Sequence, residues 1–480
     1  MAGIGFELKR LFSKEGFLLK LRANLYASVV VSGPMLLGAI LLLGVKYISG
    51  LAGASRHEQD LLIVVITYSI LFPLLLTSTI SYVLSRYIAD MLFEGENRRI
   101  LPSLYGSLSL LLIVGAPGWA VFLYLSKLPI EYSLLSFALF CESLVVWMQI
   151  NYVTAIKNYK SILIGFASGV LAGLLIGYLF VRLNFDVVGS LLVGACIGYG
   201  IMLIVYTIVL HKYFPMGSGS SLKFVEWIDK YPALAFVGFF TTLGLFIHLM
   251  LMWASPWGVQ VHGLFYHAPP HDIPAILAFL TILVTTVNFV TSVEVNFYPR
   301  YRLYFSLLNE GGTLGDIRKV YLEMLTVLKH ELFYLAQRQM FVTVIAIVVI
   351  AGIIDNIGLG FTTMMIGLFR VLCVGYALFA IGNSVMLILL YFADNKGAVF
   401  SAFVFCIINT LGTYYTLSLP ENYYGFGLAA AGFGMSVVAL LRLSFYTKRL
   451  EYFVLCKQPI FVAKKMGLLT RLVHKFDSAN

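Results

Sequence analysis

The feature that most constrains this chain is a succession of apolar runs, each near the length of a bilayer crossing. A membrane-spanning helix needs roughly 20 predominantly apolar residues. Runs of that kind lie near 25–47, 61–84, 101–125, 133–156, 161–181, 187–210, 233–254, 273–297, 338–356, 361–392, 398–418 and 425–446. That makes about twelve spans by the same rule. A chain of 480 residues that is 60% hydrophobic and only 12% charged cannot hide that much apolar surface in a water-soluble fold. The expected fold class is an all-α polytopic membrane protein.

The charged residues between the runs set the orientation. One side collects the basic residues of 9–22, 86–99, Lys157, Lys160, 212–230, 300–338, Lys396 and the C-terminal tail. The other receives Lys46, Arg56, Lys127 and Arg182. Cytoplasmic loops carry the excess of Lys and Arg, so both termini are expected in the cytosol, with the chain in the cell (inner or plasma) membrane. The net charge of +10 therefore points to topology and to anionic lipid headgroups, not to nucleic acid. No cleavable leader is expected, since the first apolar run is too long and lacks a small-residue cleavage site. The five cysteines are scattered without CxxC spacing, so neither disulfides nor a zinc site is expected.

A faint internal repeat divides the chain. The stretch Asp60–Glu96 opens with a greasy run, ends it in Thr77-Ser78-Thr79, and passes through Tyr82 and Arg86 into Glu94-Gly95. Some 216 positions on, Tyr298, Arg302 and Glu310-Gly311 repeat the pattern after another greasy run. Internal repeats are a common plan for transporters, with the substrate path between the halves. The expected domains are an interfacial amphipathic helix (1–21), an N-lobe of six helices (22–214), a cytosolic linker (215–230), a C-lobe of six helices (231–446) and a cytosolic amphipathic tail (447–480). With an even number of spans each, the pseudo-symmetric lobes run as parallel repeats around a central cavity. The Gly/Ser-rich stretch Pro215–Ser221 is the expected hinge. Thr313–Asp316 reads as a capping box opening a cytosolic helix with Ile317, Val320, Tyr321, Met324 and Leu328 on one face.

The opening MAGIGFELKRLF, Ser32-Gly33-Pro34 in the first span and the late Glu421-Asn422-Tyr423-Tyr424-Gly425 together resemble the PelG family of exopolysaccharide exporters. The resemblance extends along the chain in length and hydropathy. It implies export of an N-acetylgalactosamine-rich polysaccharide, a cytosolic glycosyltransferase as partner and further membrane subunits of the same export system. It supplies no functional residues, so candidates come from the residues themselves.

Charge inside a span is costly and commonly faces a water-filled path or a partner. Glu142 lies mid-way along the fourth span, Arg370 in the tenth and Glu294 near the end of the eighth. Two arrangements are open: Glu142 and Arg370 line a path from opposite lobes, or Arg370 pairs with Glu294. Polar neighbours add Trp147, Gln149, Asn288, His248 and Asn383, and the span ends add Tyr82, Arg86 and Arg302. A sugar path wants scattered hydrogen-bond partners with aromatic surfaces, which this set offers. His262, His267, His271 and Asp272 crowd one external loop, but their spacing fits a metal only loosely and no metal is expected.

No GxxxxGK[ST] loop is present, so ATP hydrolysis by this chain is not expected, and neither is any cofactor. Glu142 is also a candidate proton or sodium site for an exchange cycle; synthesis of the polymer is the alternative driving force. Other functional readings are a lipid-linked oligosaccharide flippase, a small-molecule antiporter, an embedded acyltransferase using His248 as base, and an anchor for a glycosyltransferase. The expectation carried forward is a transporter, not an enzyme.

Overall fold

The computed structural model describes residues 36–156, 158–217, 220–353, 361–456 and 467–471, except the side chains of Thr291, Glu294 and Leu455. The expected 1–21 helix, Ser32-Gly33-Pro34, two linker residues (Ser218 and Gly219) and most of the tail beyond Cys456 lie outside them. The described chain is helical almost throughout. In order it forms α1 (Leu36–Leu51), α2 (Arg56–Glu94), α3 (Ile100–Ser126), α4 (Ile130–Ala155), α5 (Tyr159–Arg182) and α6 (Val187–Tyr213). Then come α7 (Val225–Lys230), α8 (Pro232–Trp253) and a hairpin of β1 (Val259–His262) and β2 (Phe265–His267). The rest is α9 (Pro269–Leu280), α10 (Leu283–Val290), α11 (Tyr298–Glu310), α12 (Leu314–Ile345), α13 (Thr363–Tyr391), α14 (Asn395–Thr416) and α15 (Phe426–Lys448). Among the described residues, 11 helical stretches are long and apolar enough to cross a membrane, and α1 is a shorter apolar helix. These twelve fall on the twelve apolar runs.

The described residues form two compact units. One holds those up to Pro269 together with Gly467–Arg471; the other runs from Pro270 to Cys456. This division comes later in the chain than the 215–230 connection read from the sequence. The reason lies in α7 and α8. Trp227 donates its indole N–H to Asp90 of α2 at 2.8 Å. Gly238 of α8 sits so near α2 that a Cβ there would lie 2.0 Å from the Ser78 carbonyl oxygen. Both elements are thereby packed in the first unit.

The two units repeat one local plan. In the first, α6 packs along both α4 and α5; in the second, α15 packs along both α13 and α14. The sequence repeat shows in the backbone as well. Helix α2 ends on Gly95 (φ +76°) and α11 on Gly311 (φ +89°). Each glycine N–H returns to a carbonyl four residues back, Met91 and Leu307 respectively. Only glycine adopts this left-handed cap without strain, which is why the Glu-Gly pair recurs.

In the second unit, Asp394 caps α14 and forms a two-pronged ion pair with Arg442 of α15, at 2.5 and 2.9 Å. Asp394 is 5% exposed. Asp394→Ala removes a cap and a charge-assisted pair together and is expected to cost about 2–3 kcal/mol. A thermal-unfolding scan in detergent checks this; an unchanged midpoint would show the pair to be idle.

Candidate functional site: the polar face of helix α4

The site grows from one proline. Pro73 lies inside α2. A proline in a helix interior has no N–H to give and its ring pushes the preceding turn aside, so the carbonyl four residues back, that of Ser69, loses its partner. In an apolar setting that carbonyl needs a donor from elsewhere. Helix α4 supplies it and adds a second beside it. Ser143 Oγ donates to the Ser69 carbonyl at 2.7 Å, and Trp147 Nε1 to the Ile70 carbonyl at 3.3 Å. Ser69 and Ser136 hydroxyls meet at 2.9 Å, and Asn151 donates to Ser81 Oγ at 3.0 Å. One edge of α4 is thus tied to α2 by polar contacts over four turns.

The other edge faces α6. Gln149 donates to Thr207 Oγ1 at 2.8 Å and to the Leu203 carbonyl at 3.4 Å. Cys196 Sγ lies 3.4 Å from the Leu135 carbonyl. Glu142 stands two turns before Gln149 on this side, with Oε1 3.7 Å from where a Gly200 Cβ would be. Glu142 is half-buried, and its Oε2 has no hydrogen-bond partner among the described residues. Neither does Gln149 Oε1. No ion pair to Glu142 is formed within the described residues. A carboxylate in a span with a spare oxygen can accept a hydroxyl, a proton or a small cation.

The remaining candidates fall in different places. Tyr82 packs against α8 at Gly238. Arg86 pairs with Asp90 at 3.1 Å and lies over the Tyr231 ring, fastening α7 and α8 to α2. His248 is buried in α8. In the second unit, Asn288 accepts from Arg338 at 2.7 Å. Asn383, half-buried on α13, leaves Oδ1 without a partner among the described residues. Arg370 and Arg302 are exposed. The Glu294 side chain lies outside the described residues, and with it the alternative pairing to Arg370. In the expected external loop, His262 Nε2 donates to the Lys127 carbonyl at 3.0 Å. His267 lies 4.0 Å from Asp60, and His271 lies 3.6 Å from Asp272.

Sequence reasoning passed over Ser143, Asp394, Arg442 and Arg338. The intramembrane-charge rule that singled out Glu142 applies equally to Arg442, which lies in the last apolar run. Pro73 signalled that the Ser69 carbonyl needed a donor, but not which helix would bring it.

A chain of this span number, with internally repeated packing and half-buried polar groups in its spans, has the architecture of a multi-pass membrane transporter. Solved structures agree on the fold. An outward-facing multidrug-resistance MATE family transporter of the MOP superfamily matches with a TM-score of 0.59 at 13% identity, over 88% of this chain and 96% of that one. An inward-facing one matches at 0.57 and 10% identity, over 93% and 98%. A MOP superfamily transporter from Pyrococcus furiosus matches at 0.57 and 11%, over 88% and 96%. The family model described as "PelG: Putative exopolysaccharide Exporter (EPS-E)" matches residues 1–455. The chain belongs to the PelG family of exopolysaccharide exporters. No curated protein matches it.

Proposed function

We propose that this chain exports a Pel-like, N-acetylgalactosamine-rich polysaccharide from the cytosol across the cell membrane, with both termini cytosolic. The observation that carries the reading is the family match over residues 1–455. A cytosolic glycosyltransferase delivers the polymer, and other membrane subunits of the system complete the route. Two half-buried acceptors, Glu142 on α4 and Asn383 on α13, each have an oxygen without a donor among the described residues. Sugar hydroxyls are donors in quantity, so these oxygens suit a passing glycan. Arg370, exposed on α13, offers donors to the same polymer.

The test is transport by the purified chain in sealed vesicles, with polymer supplied on one side and a proton or sodium gradient imposed or omitted. Polymer is expected inside vesicles holding the protein and not inside empty ones. Dependence on the gradient that disappears in Glu142→Gln would make Glu142 the coupling site; independence in wild type would make synthesis the driving force. Vesicles that move small cationic drugs but no glycan would replace this reading with the antiporter one.

A further inference from the structure

Helix α12 is too long for the membrane it crosses. With its continuation it runs Leu314–Ile353, 40 residues. At 1.5 Å per residue that is about 60 Å, roughly twice the hydrocarbon thickness. Its exposed face tells which part is immersed. Up to residue 338 that face mixes Arg318, Lys319, Glu323, Lys329, His330 and Arg338 with Leu322, Phe333 and Tyr334; from Met340 on it is apolar throughout, with Met340, Phe341, Val344, Ile345, Val348 and Val349. Arg338 is the last charge before that unbroken apolar face, which places the boundary between headgroups and acyl chains near it.

Arg338 stands on that boundary and is held in place. Its Nη1 donates to Asn288 Oδ1 at 2.7 Å, and Asn288 is buried. Its Nη2 donates to the Tyr334 hydroxyl, and the guanidinium lies over the Tyr334 ring at 4.1 Å. The His330 ring stacks on Tyr334 in turn, at 6.4 Å and 6°. Arg338 makes no ion pair with a carboxylate among the described residues. A guanidinium has five N–H donors, and two are used among the described residues. The side chain is exposed, so the others are open to a further acceptor. An unanchored arginine would snorkel freely; this one is fixed by a buried amide and a stacked ring. Phe341, Ile345 and Val348 continue the same face below it, as a track for an acyl chain.

We propose that Arg338, with Tyr334 and His330, is a binding site for the phosphate of an anionic phospholipid headgroup. A guanidinium binds phosphate through paired N–H donors. Phosphatidylglycerol offers a net negative headgroup, whereas the choline cation of phosphatidylcholine neutralises its own phosphate and repels the arginine.

The experiment uses the full chain purified in detergent and loaded with each lipid alone, retention being read by native mass spectrometry. Wild type is expected to keep phosphatidylglycerol better than phosphatidylcholine. Arg338→Gln is expected to lower phosphatidylglycerol retention about five-fold, the factor for one basic group at an anionic surface. Phosphatidylcholine retention stays as it was, and Arg338→Lys keeps most of the preference. Equal retention of phosphatidylglycerol by wild type and Arg338→Gln would overturn the site. So would equal retention of the two lipids by wild type, an arm that decides the matter even if the Gln variant does not accumulate.

Discussion

Glu142→Gln is expected to cut polymer secretion about tenfold or more while the protein accumulates normally. The substitution preserves the shape of the side chain and removes its charge. Because Oε2 has no partner among the described residues, the fold loses no hydrogen bond there. If Glu142 meets the polymer as proposed, transport loses a charged acceptor, since the amide keeps only a neutral one. A hydrogen bond to a charged group is worth about 1.5–3 kcal/mol, so flux should fall about tenfold or more. Glu142→Asp keeps the charge but draws it back by one methylene, and an intermediate rate is expected. The measurement is secreted polymer per unit of membrane-embedded protein, compared across the three chains. Normal secretion by the Gln variant would make Glu142 a bystander in the α4–α6 seam, without touching the transporter fold.

Gly198→Val is expected to cost the protein much of its stability. Helices α5 and α6 meet backbone to backbone. A Cβ at Gly198 would lie 2.7 Å from the Gly169 carbonyl oxygen, and one at Gly169 would lie 2.5 Å from the Gly198 carbonyl oxygen. Gly173 and Gly194 repeat the arrangement one turn away, at 2.7 and 2.5 Å. Those neighbours are main-chain atoms that no rotamer can move, so the helices must separate. In lipid their association rests on close packing and not on hydrophobic exclusion of water, and small residues four apart allow it. Overpacking costs about 1–3 kcal/mol even where side chains can yield, and more is expected here. Gly200→Ala on the same helix is the control, since its Cβ would meet only Glu142 Oε1, at ordinary contact distance. The check is the thermal midpoint of the purified protein. Equal midpoints for Gly198→Val and Gly200→Ala would refute the backbone contact.

The repeat was legible because it rests on local stereochemistry. Gly95 and Gly311 are needed wherever a helix must end in a left-handed turn, and a residue type needed for its own backbone leaves its mark in one dimension. Glu142 was legible for a similar reason, as a charge within an apolar run. Its surroundings were not. Trp147 was singled out as an aromatic surface for sugar, yet its indole N–H is directed at the Ile70 carbonyl beside Pro73. Arg86, a candidate for substrate contact, is engaged with Asp90 and Tyr231. Arg442 and Asp394 are 48 positions apart. Nothing in their spacing announces that α14 and α15 bring them together.

What the amino-acid order determined by itself is the class of the molecule, its twelve apolar runs and its twofold repetition. Each follows from requirements a residue meets alone: the length of an apolar run against bilayer thickness, or the backbone freedom of glycine. Tertiary structure alone decided which polar groups are occupied and which are spare. Pro73 calls for a donor to the Ser69 carbonyl, but the choice of Ser143 over any other hydroxyl depends on α4 lying against α2. Among the described residues Glu142 is left with an open oxygen for the same reason: contacts between distant segments are set by packing in three dimensions.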